Sequence, residues 1–211
     1  WCCHCTAVQA NTMLMENAVY REGDSTLYIA QYQPVTATMT AGGRTMTVKI
    51  EEERRTGANL ASSPYNTAVD SRPHDRHLRI RVTGGGQGRV KLRRPAWQKG
   101  PMTVEVGGQA RDAAADASGF VTLPCDLSDA DIHVVLTQGL TAYPLPDDPD
   151  RVAFLDGPVA LCGLIGEERT LYGDPEHPES ILAPDYERQW DHWRTAYHTV
   201  NQPVNFQFVP L

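Results

Sequence analysis

With 211 residues, 41% of them hydrophobic and 21% charged, the chain is long enough to bury a sizeable core, and its formal net charge of -7 excludes the dominant basic stripe that a nucleic-acid binder needs. No stretch approaches the roughly 20 consecutive apolar residues of a membrane-spanning helix. The cysteines number five, with Cys125 and Cys162 far from the other three, which is unlike a secreted disulfide scaffold and suits a reducing, cytoplasmic compartment or a bound metal.

The chain opens on Trp1-Cys2-Cys3-His4-Cys5. Adjacent Cys2 and Cys3 are badly placed to pair with one another and well placed to present two thiolates to one metal ion; the competing reading is a pair of buried structural thiols. Thr6-x-x-Gln9 has the form of a capping box, so the spacing predicts a helix from about Thr6. Ala7, Val8, Leu14, Met15, Ala18 and Val19 recur at helical spacing until Glu22-Gly23-Asp24, which predicts one helix of about four turns with a buried face. Cys3 and Cys5 then stand at its N-terminus, where the helix dipole favours a thiolate.

From Ser25 the period changes to two. Leu27 and Ile29, then Met46, Val48 and Ile50, then Leu78, Ile80 and Val82 alternate with polar neighbours, as do Val90 and Leu92, Met102, Val104 and Val106, and Ile132, Val134 and Leu136. Glycine turns separate them at Ala41-Gly42-Gly43, Thr83-Gly84-Gly85-Gly86 and Val106-Gly107-Gly108. Short alternating strands with little helix between them predict a mainly β chain built as an antiparallel β-sandwich. Arg89, Lys91, Arg93 and Arg94 alternate with Val90 and Leu92 as the wet face of one strand. Arg54 to Asp75 and Arg111 to Ser118 read as loops, Val152 to Leu164 as strand around Asp156-Gly157-Pro158, and Gly173 to Pro178 as a surface excursion. Tyr186, Trp190, Trp193 and Tyr197 form a short aromatic segment, and Val204 to Val209 alternates as a last strand.

Several of these segments together resemble glycoside hydrolase family 127, the β-L-arabinofuranosidase-like enzymes. Trp-Cys-Cys-His-x-Thr is followed by a helix and by Asp24-x-Thr26-Leu27-Tyr28. Leu92-Arg93-Arg94-Pro95-Ala96-Trp97 is similar to the family's LRIPSW stretch, Val104-Glu105-Val106-Gly107-Gly108 to its VxVNG hairpin, and Arg151 to Val159 to its RxAxxxGPLV strand. The Cys-Cys pair is the specific signal; the strand motifs alone are weak.

The resemblance implies an (α/α)6 catalytic barrel followed by β-sandwich domains. Residues 1–23 would then be the last barrel helix, 24–165 the sandwich, and 166–211 a loop, a short aromatic helix and a strand of a further sandwich portion. It implies a zinc ion held by both adjacent cysteines with a glutamate and a third cysteine from the barrel. Carried over, Cys2 is nucleophile and zinc ligand and Cys3 a second zinc ligand, while the acid/base glutamate and most sugar-binding residues lie upstream of Trp1. The implied partners are that barrel and an L-arabinofuranoside-type carbohydrate, and a chain of this extent is expected to be inactive by itself. Related sequences carry a small residue, often glycine, where this chain has Cys5, which reads as a neutral replacement, an extra ligand or a buried small hydrophobe, the last being favoured as the commonest fate of a free cysteine.

Other residues carry competing readings. His4 suits an orienting role better than ligation, because ligands at three consecutive positions strain a tetrahedral site. Trp190, Trp193 and Tyr197 have the spacing of a sugar-stacking platform or of one helical face packed on the sandwich, the second being favoured. Asp131, Asp147, Asp148 and Asp150 lack calcium-loop spacing and read as solvated turn residues, and His133 and His192 have no partner pattern. The alternative function is a non-catalytic β-sandwich module that binds carbohydrate or packs on a catalytic partner.

Overall fold

A computed structural model of the chain describes residues 2–53, 75–184, 188–189, 192–193 and 196–211. Its described residues are mostly strand, divided between two compact units. The first comprises residues 1–54, 76–96 and 100–136, and the second residues 55–75, 97–99 and 137–211.

The first unit begins with helix α1 (Cys2–Met13) and continues through β1 (Val19–Glu22), β2 (Thr26–Ile29), β3 (Val35–Ala41), β4 (Arg44–Glu53), β5 (Asp75–Thr83) and β6 (Gln87–Arg93). It ends with β7 (Thr103–Val106), β8 (Gln109–Arg111), β9 (Phe120–Asp126) and β10 (Asp129–Thr137). Two sheets result, one in the order β1-β2-β6-β9 and one in the order β3-β4-β5-β10-β7-β8. Alternation decides which face of each is buried. In the four-stranded sheet the register aligns Leu27 with Val90 and Val90 with Leu123, then Ile29 with Leu92 and Leu92 with Val121. In the six-stranded sheet Val48 faces Val82, Ile50 faces Ile80, and Val104 faces Val134. All of these side chains are buried, so each sheet contributes one continuous apolar face to a β-sandwich. Full burial of each such side chain stabilises the fold by about 1.5–3 kcal/mol.

Antiparallel pairing dominates, but β2 and β6 run parallel. The segment between them, which carries the β3–β4 hairpin and β5 in the other sheet, is long enough for the crossover that parallel neighbours require. The β3–β4 hairpin turns on Gly42 and Gly43, whose φ values of 56° and 77° are the left-handed pair of a tight two-residue turn. A Cβ on Gly42 would also lie 2.7 Å from an Asp24 carboxylate oxygen.

The second unit contains β11 (Leu140–Pro144), β12 (Val152–Asp156), β13 (Val159–Gly163), a 3-10 turn at Pro178–Ser180, β14 (Leu182–Pro184), β15 (Arg188–Gln189), β16 (His192–Trp193), β17 (Tyr197–Thr199) and β18 (Gln207–Pro210). Its main sheet has the order β11-β12-β13-β18-β17-β14. Phe154, Leu161, Ile181, Leu182, Tyr197 and Phe208 form its core, with the Phe154 and Phe208 rings edge to face at 5.6 Å. The short aromatic helix predicted near Trp190 is not formed by the described residues: β15 and β16 pair antiparallel, Arg188 against Trp193, and Tyr197 begins β17. Pairing with β14 and β18 outweighs the helical spacing of the aromatics.

Candidate functional site

Helix α1 starts four residues earlier than the Thr6-x-x-Gln9 pattern predicts and is 12 residues long. Thr6 and Gln9 therefore lie inside it rather than at its start. It also ends earlier. Val19 opens β1, and Glu22-Gly23-Asp24, which reads as a helix stop, is the turn of the β1–β2 hairpin, with Glu22 paired to Thr26. Of the predicted buried face, Val8, Leu14 and Met15 are 60%, 45% and 55% exposed, whereas Ala18 and Val19 are buried but lie beyond the end of the helix. Apolar spacing reports that a helix has a face to cover, not that this chain supplies the cover.

Cys2 and Cys3 occupy the first two helical positions, with their side chains outside the described part of the structure, as is that of His4. One turn on, at the i+3 position that shares a face with Cys2, stands Cys5. Cys5 is exposed, which corrects the expectation of a buried small hydrophobe. Among the described residues no three His, Cys, Asp or Glu side chains converge as a metal site.

The exit of the helix is held by side chains that no sequence pattern singled out. Asn17 donates from Nδ2 to the Met13 carbonyl at 3.1 Å, and Gln33 donates from Nε2 to the Leu14 carbonyl at 2.6 Å, so carbonyls left open at the helix end are satisfied. Ala18 is fully buried, and its carbonyl accepts from the Ala30 and Gln31 amides. Arg21 then ties β1 to the other sheet. Its side chain is 5% exposed and donates to the carbonyls of Gly23, Met39, Ala41 and Arg44 and to Asp24. Tyr32 adds a further tie, its buried hydroxyl donating to the Arg93 carbonyl at 2.7 Å. A lone arginine in a stretch of mixed polarity gives no periodic signal, and for this reason Arg21 is invisible to pattern reading.

The other sequence candidates separate cleanly. Tyr197 is buried in the second unit's core, in line with packing rather than sugar stacking; Trp190 lies outside the described residues, and for Trp193 and His192 the backbone alone is described. The loop predicted at Arg54 to Asp75 lies, but for Asp75, outside the described residues as well. Asp131 is not a solvated turn residue. It sits in β10 and accepts two hydrogen bonds from Arg79, at 2.9 and 2.5 Å, which hold its carboxyl below the usual carboxylate range. His133 stacks on His77 with ring centroids 5.4 Å apart, its Nε2 lying 3.9 Å from a Glu53 oxygen. The basic run is the wet face of β6, where Lys91 lies over the Tyr28 ring at 5.1 Å.

No family model and no curated protein matches this sequence. Solved structures do match its fold. A family 127 β-L-arabinofuranosidase from Geobacillus stearothermophilus T6 is 15% identical with a TM-score of 0.57, over 92% of this chain and 32% of that one. A structure described as a glycoside hydrolase gives 14% identity and a TM-score of 0.58, over 92% and 34%. A second family 127 β-arabinofuranosidase gives 17% and 0.56, over 92% and 33%. The chain thus spans about a third of the length of these structures, and over that third its fold is that of the family 127 glycoside hydrolases.

Proposed function

We propose that the chain contributes the thiolate part of a glycoside hydrolase active site of the β-L-arabinofuranosidase type, with Cys2 as nucleophile. The observation that supports this reading is the placement of two adjacent cysteines in the first turn of α1, in a chain sharing its fold with those enzymes. Unpaired amides and the helix dipole at that position favour the ionised thiol.

The donor set fits zinc in kind. Thiolates are the soft ligands zinc prefers, Cys2 and Cys3 would supply two of the four that a tetrahedral site takes, and bound zinc would keep the thiols ionised at neutral pH. The remaining ligands and the acid/base carboxylic acid would come from outside these 211 residues, in keeping with the one-third share of the relatives' length. In the reaction the Cys2 thiolate attacks the anomeric carbon while the departing oxygen takes a proton from the carboxylic acid. Water, deprotonated by the resulting carboxylate, then cleaves the carbon–sulfur bond, and two inversions give net retention.

The test is hydrolysis of a nitrophenyl β-L-arabinofuranoside by the protein containing this chain. Cys2→Ser should abolish nitrophenol release, Cys5→Ser should leave it within a few-fold, and the 211-residue chain alone should release none. Full activity in Cys2→Ser would overturn the assignment.

A further inference from the structure

Beyond the end of β6 the chain forms a groove that neither the thiols nor the sandwich core explains. It has a volume of about 480 Å³, is open to solvent, and is lined by Arg94, Pro101, Met102, Arg111, Asp112 and Ala114 among others. Its parts are fixed. The Arg94 amide donates to the Gly119 carbonyl at 2.8 Å and its Nη2 to the Gly100 carbonyl at 3.1 Å, so the guanidinium is anchored by one edge. Arg111 stands opposite Val104 on β8. The wall after it is shaped by side-chain turns: Asp112 accepts from the Ala114 amide at 3.1 Å, and Asp116 accepts from the Ser118 and Phe120 amides at 2.9 and 3.1 Å.

Charge and shape narrow what fits. Two arginines and one aspartate are among the residues that line the groove, a local excess of positive charge on a chain of net charge -7. A planar guanidinium matches a carboxylate with paired hydrogen bonds. Met102 is buried beneath the groove, and Pro101 with small alanine side chains offers C–H surface to the face of a ring. Asp112 in the wall provides a hydroxyl acceptor and disfavours a compact dianion such as phosphate. The volume lies in the range of sites for small organic ligands. We propose that this groove binds a carboxylate-bearing sugar unit, a uronate residue of an oligosaccharide, through Arg94 and Arg111. The saccharide part of the proposal rests on the glycosidase reading above; the carboxylate part rests on the groove alone.

The experiment is titration of the chain with methyl glucuronide and methyl galacturonide, with methyl glucoside and inorganic sulfate as controls, read by calorimetry. A uronide should bind measurably, the neutral glucoside more weakly, and Arg94→Gln or Arg111→Gln should each weaken uronide binding by about tenfold without lowering the melting temperature. Arg89→Gln, on β6 and outside the groove, should have no effect. Absence of uronide binding, equal weakening by Arg89→Gln, or sulfate binding as tightly as the uronide would overturn the proposal. Failure of the Cys2→Ser activity test with uronide binding intact would remove the glycosidase reading and leave the groove standing.

Discussion

The apolar residues of strand β6 and those in and just after helix α1 meet opposite fates. Val90 and Leu92 are fully buried between β2 and β9, whereas Val8, Met13, Leu14 and Met15 in and just after α1 are about half exposed. The difference lies in whether the described residues supply a partner surface. A strand's neighbours in this sandwich are a few tens of residues away in the same chain, so period-two alternation specifies both the element and its burial. A helix with an apolar stripe specifies only that something should cover it.

Substitutions sharpen this contrast, and the largest effect should come from the strand. Leu92→Ala should cost about 2–5 kcal/mol by denaturant unfolding, because it removes a fully buried side chain from a packed face, while Val8→Ala should change stability by less than about 0.5 kcal/mol. Equal losses at the two positions would break the comparison. Next comes Arg21, which ties β1 to the other sheet. Arg21→Met keeps the stem and removes every donor, leaving the carbonyls of Met39, Ala41 and Arg44 without it, for an expected loss of about 1–3 kcal/mol in the same measurement.

Tyr32→Phe should cost less, about 1 kcal/mol at neutral pH, through the lost hydrogen bond to Arg93. It also carries a pH signature. Burial holds the Tyr32 phenol above its ordinary range in the folded protein, so its contribution is intact below the unfolded value of about 10 and is lost as pH rises beyond it. Thermal unfolding should therefore show an alkaline fall in stability that flattens in Tyr32→Phe. The smallest perturbation is chemical: limited alkylation followed by peptide mass mapping should modify exposed Cys5 and Cys162 before Cys125, whose thiol is half-buried and pushed up by desolvation. Earlier labelling of Cys125 would mean that the β9 edge opens more readily than α1.

The sandwich was legible in the sequence because its strands state their own pairing. Leu27, Met46, Ile80, Val90 and Ile132 each fell on the predicted buried face, and the glycine pairs marked the hairpins. The parallel β2–β6 pair was not, since side-chain alternation is the same in parallel and antiparallel strands. Around the candidate site, Trp1 to Cys5 drew attention by residue type, but the end of the helix was misplaced. Ala18 and Val19 satisfy helical spacing and strand pairing equally, and pairing with β2 decided between them. Arg21, Asn17 and Gln33 hold the helix exit through backbone carbonyls, a role written in three dimensions and in no local pattern.

The central proposal is that Cys2 is the nucleophile whose Sγ bonds to the anomeric carbon of the sugar. It is tested most directly by treating the protein that contains this chain with an epoxide- or bromoacetyl-bearing β-L-arabinofuranoside analogue and mapping the adduct by tandem mass spectrometry. An adduct on Cys2 that the free sugar protects against is the predicted result. Labelling confined to a carboxylate, with Cys2 unmodified, would contradict the account.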